Sequence, residues 1–398
     1  MPSTQDISQN RKLLWLMAIS CGLTAGANYF CQPLIHSIQH SFHTSTAQAQ
    51  FTVTLAQISY AVGLLFIVPL GDITQKSKFI PLLMAFSGIG LLLSALSTNL
   101  YMLWFGTVLA GLFSVAAQIL IPFSTIMVQP NKIGETVGFL MSGLLIGILL
   151  STSLAGILSN LLHWKVVYFL SAFLIFWCAY QLKKQLPQTK GTSLNYFDVF
   201  KSMKALITEE HRLSIRGLMG GFSFASMSIL FATMAVYLSA PPFNLKDAFI
   251  GMISLVGIIG ALSSQYVGKF ADRGYTVQLT FIGSVLLVSS WLFLYLSQQH
   301  FIYYIIGFAV LNTGVAFTHS CNQSIIYKLR PNAKSRINAI YMTFYFGGAA
   351  FGSAMGIFAW NHGGWILACI TGLVFAILTT FFAVTDYLLV KKKYYTLS

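Results

Sequence analysis

Long apolar runs with almost no charged residues recur along the whole chain, and they constrain its fold more than any other feature. A membrane-spanning helix needs roughly 20 mostly apolar residues. Twelve runs meet that requirement, six on each side of a polar stretch. They cover about 14–36, 50–71, 79–98, 101–128, 136–158, 166–182, 213–239, 248–267, 276–296, 301–327, 337–359 and 364–390. The alternating strands of about ten residues that form a transmembrane β-barrel are lacking. We therefore predict an all-α membrane protein with twelve transmembrane helices.

Composition excludes the soluble classes. Only 8% of the 398 residues are charged, whereas soluble domains carry about 25%. The five cysteines lie inside apolar runs without metal-ligand spacing, so we expect neither a disulfide framework nor a zinc site. Histidines in or beside the predicted outer loops could bind metal, but we expect them to be solvated: His36, His40, His43, His163, His300 and His362. We predict no metal and no cofactor.

The positive charges are distributed very unevenly between the two sides of the membrane. An even number of spans places both termini on one side, and that side carries 21 of the 23 Lys and Arg residues; only Lys165 and Lys246 lie opposite. The positive-inside rule then places the termini and the central linker in the cytoplasm. The net charge of +14 is accounted for by topology and does not require nucleic acid. We expect no removable signal peptide.

Landmark residues recur at a fixed offset in the two halves of the chain, which indicates an internal duplication. Asp72 and Asp272 each follow the second span of their half, and Gly147 with Gly347 and Gly156 with Gly356 share the same 200-residue offset; Trp164 and Trp365 differ by 201. Two six-helix halves joined by a long cytoplasmic linker are the architecture of an alternating-access transporter. We predict an N-terminal bundle at 1–182, a linker at 183–212 and a C-terminal bundle at 213–398. The linker is either an amphipathic helix on the membrane surface or a flexible tether.

Several short motifs carry a resemblance to a known family. Residues 268–274 read Gly-Lys-Phe-Ala-Asp-Arg-Gly, and residues 69–78 contain a degraded copy in which Ile73 replaces the usual arginine. The chain resembles the major facilitator superfamily over nearly its whole length. Residues 28–34, 240–243, 322–323 and 336–342 are similar to a bacterial subgroup of inner-membrane permeases that export drugs or metabolites. The resemblance implies two pseudo-symmetric six-helix bundles, a location in the bacterial inner (plasma) membrane and a secondary transporter.

A cytoplasmic gate is the first site that the motif predicts. An aspartate at a helix junction accepts hydrogen bonds from the N–H groups that open the next helix. We expect Asp272, supported by Arg273, to close the cytoplasmic side, with Gly268 and Gly274 permitting the tight turn. Asp72 is the counterpart in the first half. The alternative is that the Asp-Arg-Gly segment is only a solvated turn.

A substrate cavity is the second predicted site, because the resemblance implies that spans one, four, seven and ten line it. Polar residues inside these spans are costly to bury and therefore candidates for binding. Spacings of three, four and seven place the span-ten candidates on one helical face. The candidates are Asn28, Tyr29, Gln32, Gln118, Tyr237, Asn312, His319, Asn322 and Gln323.

His319 is the candidate for proton coupling. None of the nine acidic residues falls in the middle of a span, and Asn312 stands where the resembling exporters often have an aspartate. Histidine changes its charge near neutral pH. The alternative is a neutral His319 hydrogen-bonded to Gln118 or Asn28. Asp386 lies slightly inside the last span, and we expect it to pair with Lys391–Lys393. A cavity with so little fixed charge favours a neutral, zwitterionic or amphipathic substrate.

The resulting hypothesis is a proton-coupled exporter, or antiporter, of a small organic molecule. An uncoupled facilitator and a non-transporting membrane sensor are the alternatives. The chain contains no catalytic or phosphate-binding motif, so we predict that it is not an enzyme. The expected partners are the substrate, protons and the lipid bilayer, without nucleic acid, and we expect a monomer.

Overall fold

The computed structural model describes residues 7, 10–125, 127–129, 133–188, 196–330 and 334–395. In these ranges nine helices are long and apolar enough to cross a membrane. The last of them contains two spans, and two further spans are built from shorter helices, as described below. The protein is an all-α membrane protein with twelve spans, as predicted. All five cysteine side chains are buried.

The first half of the chain and the linker contain ten helices. The helices are α1 (Arg11–Gly26), α2 (Ile35–Phe42), α3 (Thr46–Phe66), α4 (Leu70–Ile73), α5 (Lys76–Ala95), α6 (Leu100–Phe113), α7 (Ala116–Thr125), α8 (Ile133–Leu161), α9 (Trp164–Gln185) and the linker helix α10 (Tyr196–Glu209). The short separation predicted between the third and fourth spans is confirmed. There Asn99 caps α6 by accepting a hydrogen bond from the Met102 amide.

The second half contains six helices. They are α11 (His211–Ser239), α12 (Asp247–Ile253), α13 (Ile258–Phe270), α14 (Thr276–Leu296), α15 (Phe301–Leu329) and α16 (Lys334–Tyr395). A single 3-10 turn, Ser254–Gly257, joins α12 to α13. Gly364 has φ +58 and interrupts α16, so that this element holds the last two spans. A residue with a side chain rarely adopts that backbone conformation.

The first span departs from the sequence prediction of one helix over about 14–36. Helix α1 ends at Gly26, and residues 27–34 form consecutive turns before α2 begins. Pro33 contributes to the break because it has no amide hydrogen to donate. Asn28 and Gln32 therefore do not share a helical face, although their spacing of four residues suggested one.

The chain divides into two compact units. The first comprises 1–199 with 246–252, and the second comprises 200–245 with 253–398. Helix α12 up to Met252 thus belongs to the first unit, although it follows α11 in the chain. Each unit contains helices that cross closely at glycine.

In the first unit α1 crosses α8, and a Cβ on Gly147 would lie 2.2 Å from Gly22 Cα. In the second unit α11 crosses α16, and a Cβ on Gly348 would lie 2.1 Å from the Gly221 carbonyl oxygen. Small residues let helix backbones approach this closely in membranes. The packing counterpart of Gly147 is therefore Gly348. The 200-residue offset pointed to Gly347, which is exposed with nothing within 4 Å of its would-be Cβ.

Candidate functional site

The polar candidates of the first unit are deeply buried. In the turns after α1, the exposed fractions of Asn28, Tyr29 and Gln32 are 2%, 6% and 1%. Within the described residues, Gln32 Oε1 has no hydrogen-bond partner. A buried acceptor without a partner is costly unless water or a ligand satisfies it. This turn segment is therefore the strongest ligand-binding candidate in the first unit.

Gln118 lies on α7, and its Nε2 atom donates to the Tyr60 hydroxyl of α3 at 3.3 Å. The alternative of a hydrogen bond from His319 to Gln118 or Asn28 would join the two units, and it stays a prediction. Tyr60 and the buried Gln57, whose Oε1 atom lacks a partner in the described part of the chain, were not among the sequence candidates. Their signal in the sequence is weak, because isolated polar residues are common in membrane helices.

The candidates on α15 divide into two environments. Asn312, His319 and Gln323 are half-buried, whereas Asn322 is fully buried. Asn312 Nδ2 donates to the Phe308 carbonyl of its own helix at 2.8 Å. Only Asn322 turns into the interior of the unit, where it meets a cluster of charged residues.

This charged cluster is the main feature that the sequence did not predict. Asp386 of α16 is 1% exposed and Arg216 of α11 is 2% exposed, and the two form a direct ion pair. Arg212, one helical turn before Arg216, binds the same carboxylate through Nε at 2.8 Å and Nη2 at 3.1 Å. We refer to Arg212, Arg216 and Asp386 as the charged triad. Two cations against one anion leave it with a net charge of +1.

Asp386 has other partners than expected. Lys391–Lys393 were the predicted partners, whereas the structure pairs Asp386 with the arginines of α11. Five residues along a helix correspond to a rotation of about 140°, so Lys391 starts from a different face of α16. The useful signal was the spacing of four residues between Arg212 and Arg216, which places both on one helical face.

A chain of hydrogen bonds connects the charged triad to His319. Arg216 Nη1 donates to Asn322 Oδ1 at 3.1 Å and to Thr280 Oγ1 at 3.3 Å. Asn322 Nδ2 lies 3.4 Å from the Tyr341 hydroxyl, which lies 3.0 Å from His319 Nδ1. His319 is thus linked to the buried ion pair of Arg216 and Asp386.

Tyr237 lies in an aromatic cluster of the second unit. Its ring stacks on Trp365 with centroids 3.9 Å apart, and its hydroxyl is hydrogen-bonded to Ser297 Oγ at 3.0 Å. Phe243, Tyr304 and Trp360 complete the cluster. Both the ring and the hydroxyl are therefore engaged within the unit.

The gate motif is described only in part. Gly274 has φ +96, which ends α13 in a turn that favours glycine, and the exposed Arg273 places its guanidinium over the Phe270 ring at 5.6 Å. The side chains of Asp72 and Asp272 and the surroundings of Gly268 lie outside the described residues. The role of these residues as a gate stays a prediction.

A second buried carboxylate lies in the first unit, at the start of α12. Asp247 is 7% exposed, and its Oδ2 atom accepts hydrogen bonds from Ser37 of α2 and, at 3.4 Å, from Ser159 of α8. Gly156 permits this approach, since a Cβ there would lie 2.3 Å from the Asp247 carbonyl oxygen. Burial raises the pKa of Asp247, while the Ser37 hydroxyl and the nearby His36 partly oppose that shift.

This environment predicts a pH-dependent stability. A carboxyl group with a raised pKa contributes stability below its unfolded pKa of about 4 and loses that contribution as the pH rises through the folded value. We expect Asp247→Asn, which cannot ionise, to become more stable than the wild type as the pH rises, by about 1.4 kcal/mol per unit of pKa shift. Thermal unfolding in detergent between about pH 4 and pH 8 measures this. Ser37→Ala should steepen the pH dependence, and a parallel response of Asp247→Asn and wild type would contradict it.

A family profile, sequence relatives and a solved structure each match most of this chain. The Major Facilitator Superfamily profile matches residues 17–353. The transporter YgaY of Escherichia coli K12 is 42% identical over 366 residues, 92% of this chain and 93% of YgaY. The MFS-type transporter YybF of Bacillus subtilis 168 is 25% identical over 363 residues, 87% of this chain and 86% of YybF. A crystal structure of the nucleoside transporter NupG is similar in fold, with a TM-score of 0.74 at 13% identity, covering 94% of this chain and 99% of NupG.

Proposed function

The chain belongs to the Major Facilitator Superfamily of membrane transporters, and from this premise we propose that it exports a small organic molecule, a drug-like compound or a metabolite, by proton-coupled alternating access. It is a transporter and not an enzyme. Proton-coupled export is supported by the polar groups that lie inside otherwise apolar helices. The most important of them are the hydrogen-bonded residues that connect the charged triad to His319. Such groups are costly to bury in a membrane protein, and those that are present therefore mark functional sites.

The proposed orientation has both termini in the cytoplasm and the protein in the bacterial inner membrane. It is supported by the 21 of 23 basic residues that lie on one side of the twelve spans. In this orientation the gate residues lie on the cytoplasmic side and Asp247 on the outer side. We propose that the polar residues of the turns after α1 and the half-buried polar residues of α15 (Asn312, His319 and Gln323) contact the substrate, and that the protein works as a monomer.

A susceptibility screen tests the proposed function. We expect a strain that overexpresses the protein to tolerate at least one class of small organic compounds better than a deletion strain, and to accumulate less of it. A compound identified in this way is then tested for uptake in proteoliposomes. Equal tolerance and accumulation across a broad panel, together with ligand binding but no uptake by the purified protein, would favour the membrane sensor instead.

Proton coupling is tested by an imposed pH gradient. We expect the gradient to raise the uptake rate of wild-type proteoliposomes about tenfold, since a gradient of one unit supplies about 1.4 kcal/mol per proton. In His319→Gln the ratio of uptake with the gradient to uptake without it should fall to about one. The ratio is informative even if the variant binds substrate less well. A ratio of about one in the wild type would identify an uncoupled facilitator, and an unchanged ratio in His319→Gln would assign the proton to another residue.

A further inference from the structure

The hydrogen bonds that lead to His319 have a direction, and Arg216 sets it. A guanidinium group donates through five N–H groups and accepts none. Arg216 Nη1 faces Asn322 Oδ1 at 3.1 Å, and Asn322 Nδ2 faces the Arg216 carbonyl oxygen at 3.3 Å. The flipped amide would place donor against donor and oxygen against oxygen. Arg216 therefore fixes which end of the Asn322 amide donates.

The fixed amide in turn orients the hydroxyl of Tyr341. Asn322 Nδ2 has a second hydrogen, and the Tyr341 oxygen lies 3.4 Å from that nitrogen and accepts it. Tyr341 is fully buried, and a Cβ on Gly220 would lie only 2.7 Å from its hydroxyl, so the glycine leaves the space that the hydroxyl occupies. The remaining polar neighbour within the described residues is His319 Nδ1, at 3.0 Å. The hydroxyl hydrogen points to that atom, because a buried donor without an acceptor is costly.

His319 is consequently held as one of its two neutral tautomers. Since Nδ1 accepts the Tyr341 hydrogen, the neutral ring carries its own hydrogen on Nε2. The ring is half-buried beside Tyr345, with centroids 4.6 Å apart. Among the residues that the structure describes, no polar group is hydrogen-bonded to Nε2. This nitrogen is therefore the ring atom that is free to bind a transported molecule.

We propose that neutral His319 presents an Nε2–H donor to the substrate and thereby selects molecules with an oxygen acceptor at that point, such as a carbonyl, carboxylate or ether oxygen. Arg216, Asn322 and Tyr341 act as positioning residues, because they set the tautomer without contacting the substrate themselves. The selection of an acceptor rests on the proposed transport function. The assignment of the tautomer does not rest on that function, so the tautomer and the acceptor preference can be tested separately.

Nitrogen NMR of the full-length protein, labelled with 15N-histidine and held at about pH 8, where an ordinary histidine is neutral, tests the tautomer. The signals of His319 are those that disappear in His319→Gln. We expect Nε2 to be protonated and Nδ1 bare, with at least a tenfold excess of this tautomer, as one well-formed directional hydrogen bond provides. Predominant protonation of Nδ1, or a mixture within twofold, overturns the proposal.

Asn322→Asp reverses the direction with almost no change in shape. The new carboxylate accepts from both Arg216 and Tyr341, so the tyrosine oxygen must accept from His319. We expect the tautomer ratio to invert in favour of Nδ1–H. Tyr341→Phe should give a mixture, while Tyr327→Phe is the matched control, since the Tyr327 hydroxyl is bonded to Asn338 at 2.9 Å and its loss should leave the ratio unchanged. If Asn322→Asp does not fold, the tautomer ratio of Tyr341→Phe is the test. A mixture supports the proposal, and an unchanged ratio contradicts it.

Uptake of the compound identified by the susceptibility screen tests the selection of an acceptor. We expect uptake to fall about tenfold in Asn322→Asp, since Nε2 then lacks its hydrogen, and to be retained in Tyr327→Phe. An inverted tautomer with undiminished uptake overturns the acceptor preference. If the wild type transports no compound but shows the expected NMR signals, the proposed function fails and the assignment of the tautomer stands.

Discussion

Arg216→Met is expected to destabilise the protein by about 3–5 kcal/mol, which is the usual cost of removing one member of a buried ion pair. The cost arises because Asp386 stays 1% exposed while it loses the ion pair with Arg216, keeping only Arg212, which is 32% exposed at its side chain. Asn322 Oδ1 loses its donor as well. Methionine has a similar volume, so the effect reports lost charge and hydrogen bonds rather than a cavity. Unfolding by SDS titration in mixed micelles measures the change.

Two comparisons show whether the buried ion pair is the cause. Replacing both members, in Arg216→Met with Asp386→Leu, is expected to restore at least half of the lost stability, because the buried carboxylate that has lost its buried partner is then removed as well. Arg330→Met removes an arginine whose partners, Glu209 and Glu210, lie at the surface, and it should change the stability far less. A loss below about 1 kcal/mol in Arg216→Met would show that the charged triad is open to water.

Gly348→Ala and Gly347→Ala are expected to change stability in opposite directions, although the two glycines are adjacent. A Cβ on Gly348 would lie 2.1 Å from the Gly221 carbonyl oxygen and 2.5 Å from its carbon. Backbone atoms cannot rotate away, so α11 and α16 must separate, at a cost of about 1–3 kcal/mol or more. Gly347 has nothing within 4 Å of its would-be Cβ, and alanine there should stabilise the helix by about 0.5–1 kcal/mol.

The difference between the two variants is the quantity to measure, because expression and detergent effects are shared. We expect a gap of about 1.5–4 kcal/mol between them in SDS unfolding. Equal effects would mean that the crossing at Gly221 is looser than described. Gly147→Ala at the crossing of α1 and α8, where the Cβ would lie 2.2 Å from Gly22 Cα, should behave as Gly348→Ala does.

Much of the fold was predictable from short stretches of sequence. The apolar runs predicted the spans, and the separations at Asn99 and Gly364 appear where they were expected. The break of the first span at Gly26 and of the eighth at Ser254–Gly257 was missed, because uninterrupted hydropathy does not show where a helix ends. The polar candidates of the spans stay predictions as substrate contacts, and the partners that the structure gives them were not predicted. The substrate cavity and the gate stay predictions.

The amino-acid sequence by itself determined the membrane location, the number of spans and the duplication, because a helix in lipid satisfies its own backbone hydrogen bonds and needs only a long enough apolar run. Only the tertiary structure decided which residues meet. Asp386 pairs with arginines 170 and 174 residues away, and Gly348, not Gly347, contacts the neighbouring helix. The physical reason is that a helix apolar on every side has no polar face to indicate which side turns inward. The rotation of each helix about its axis is set by close packing against its neighbours.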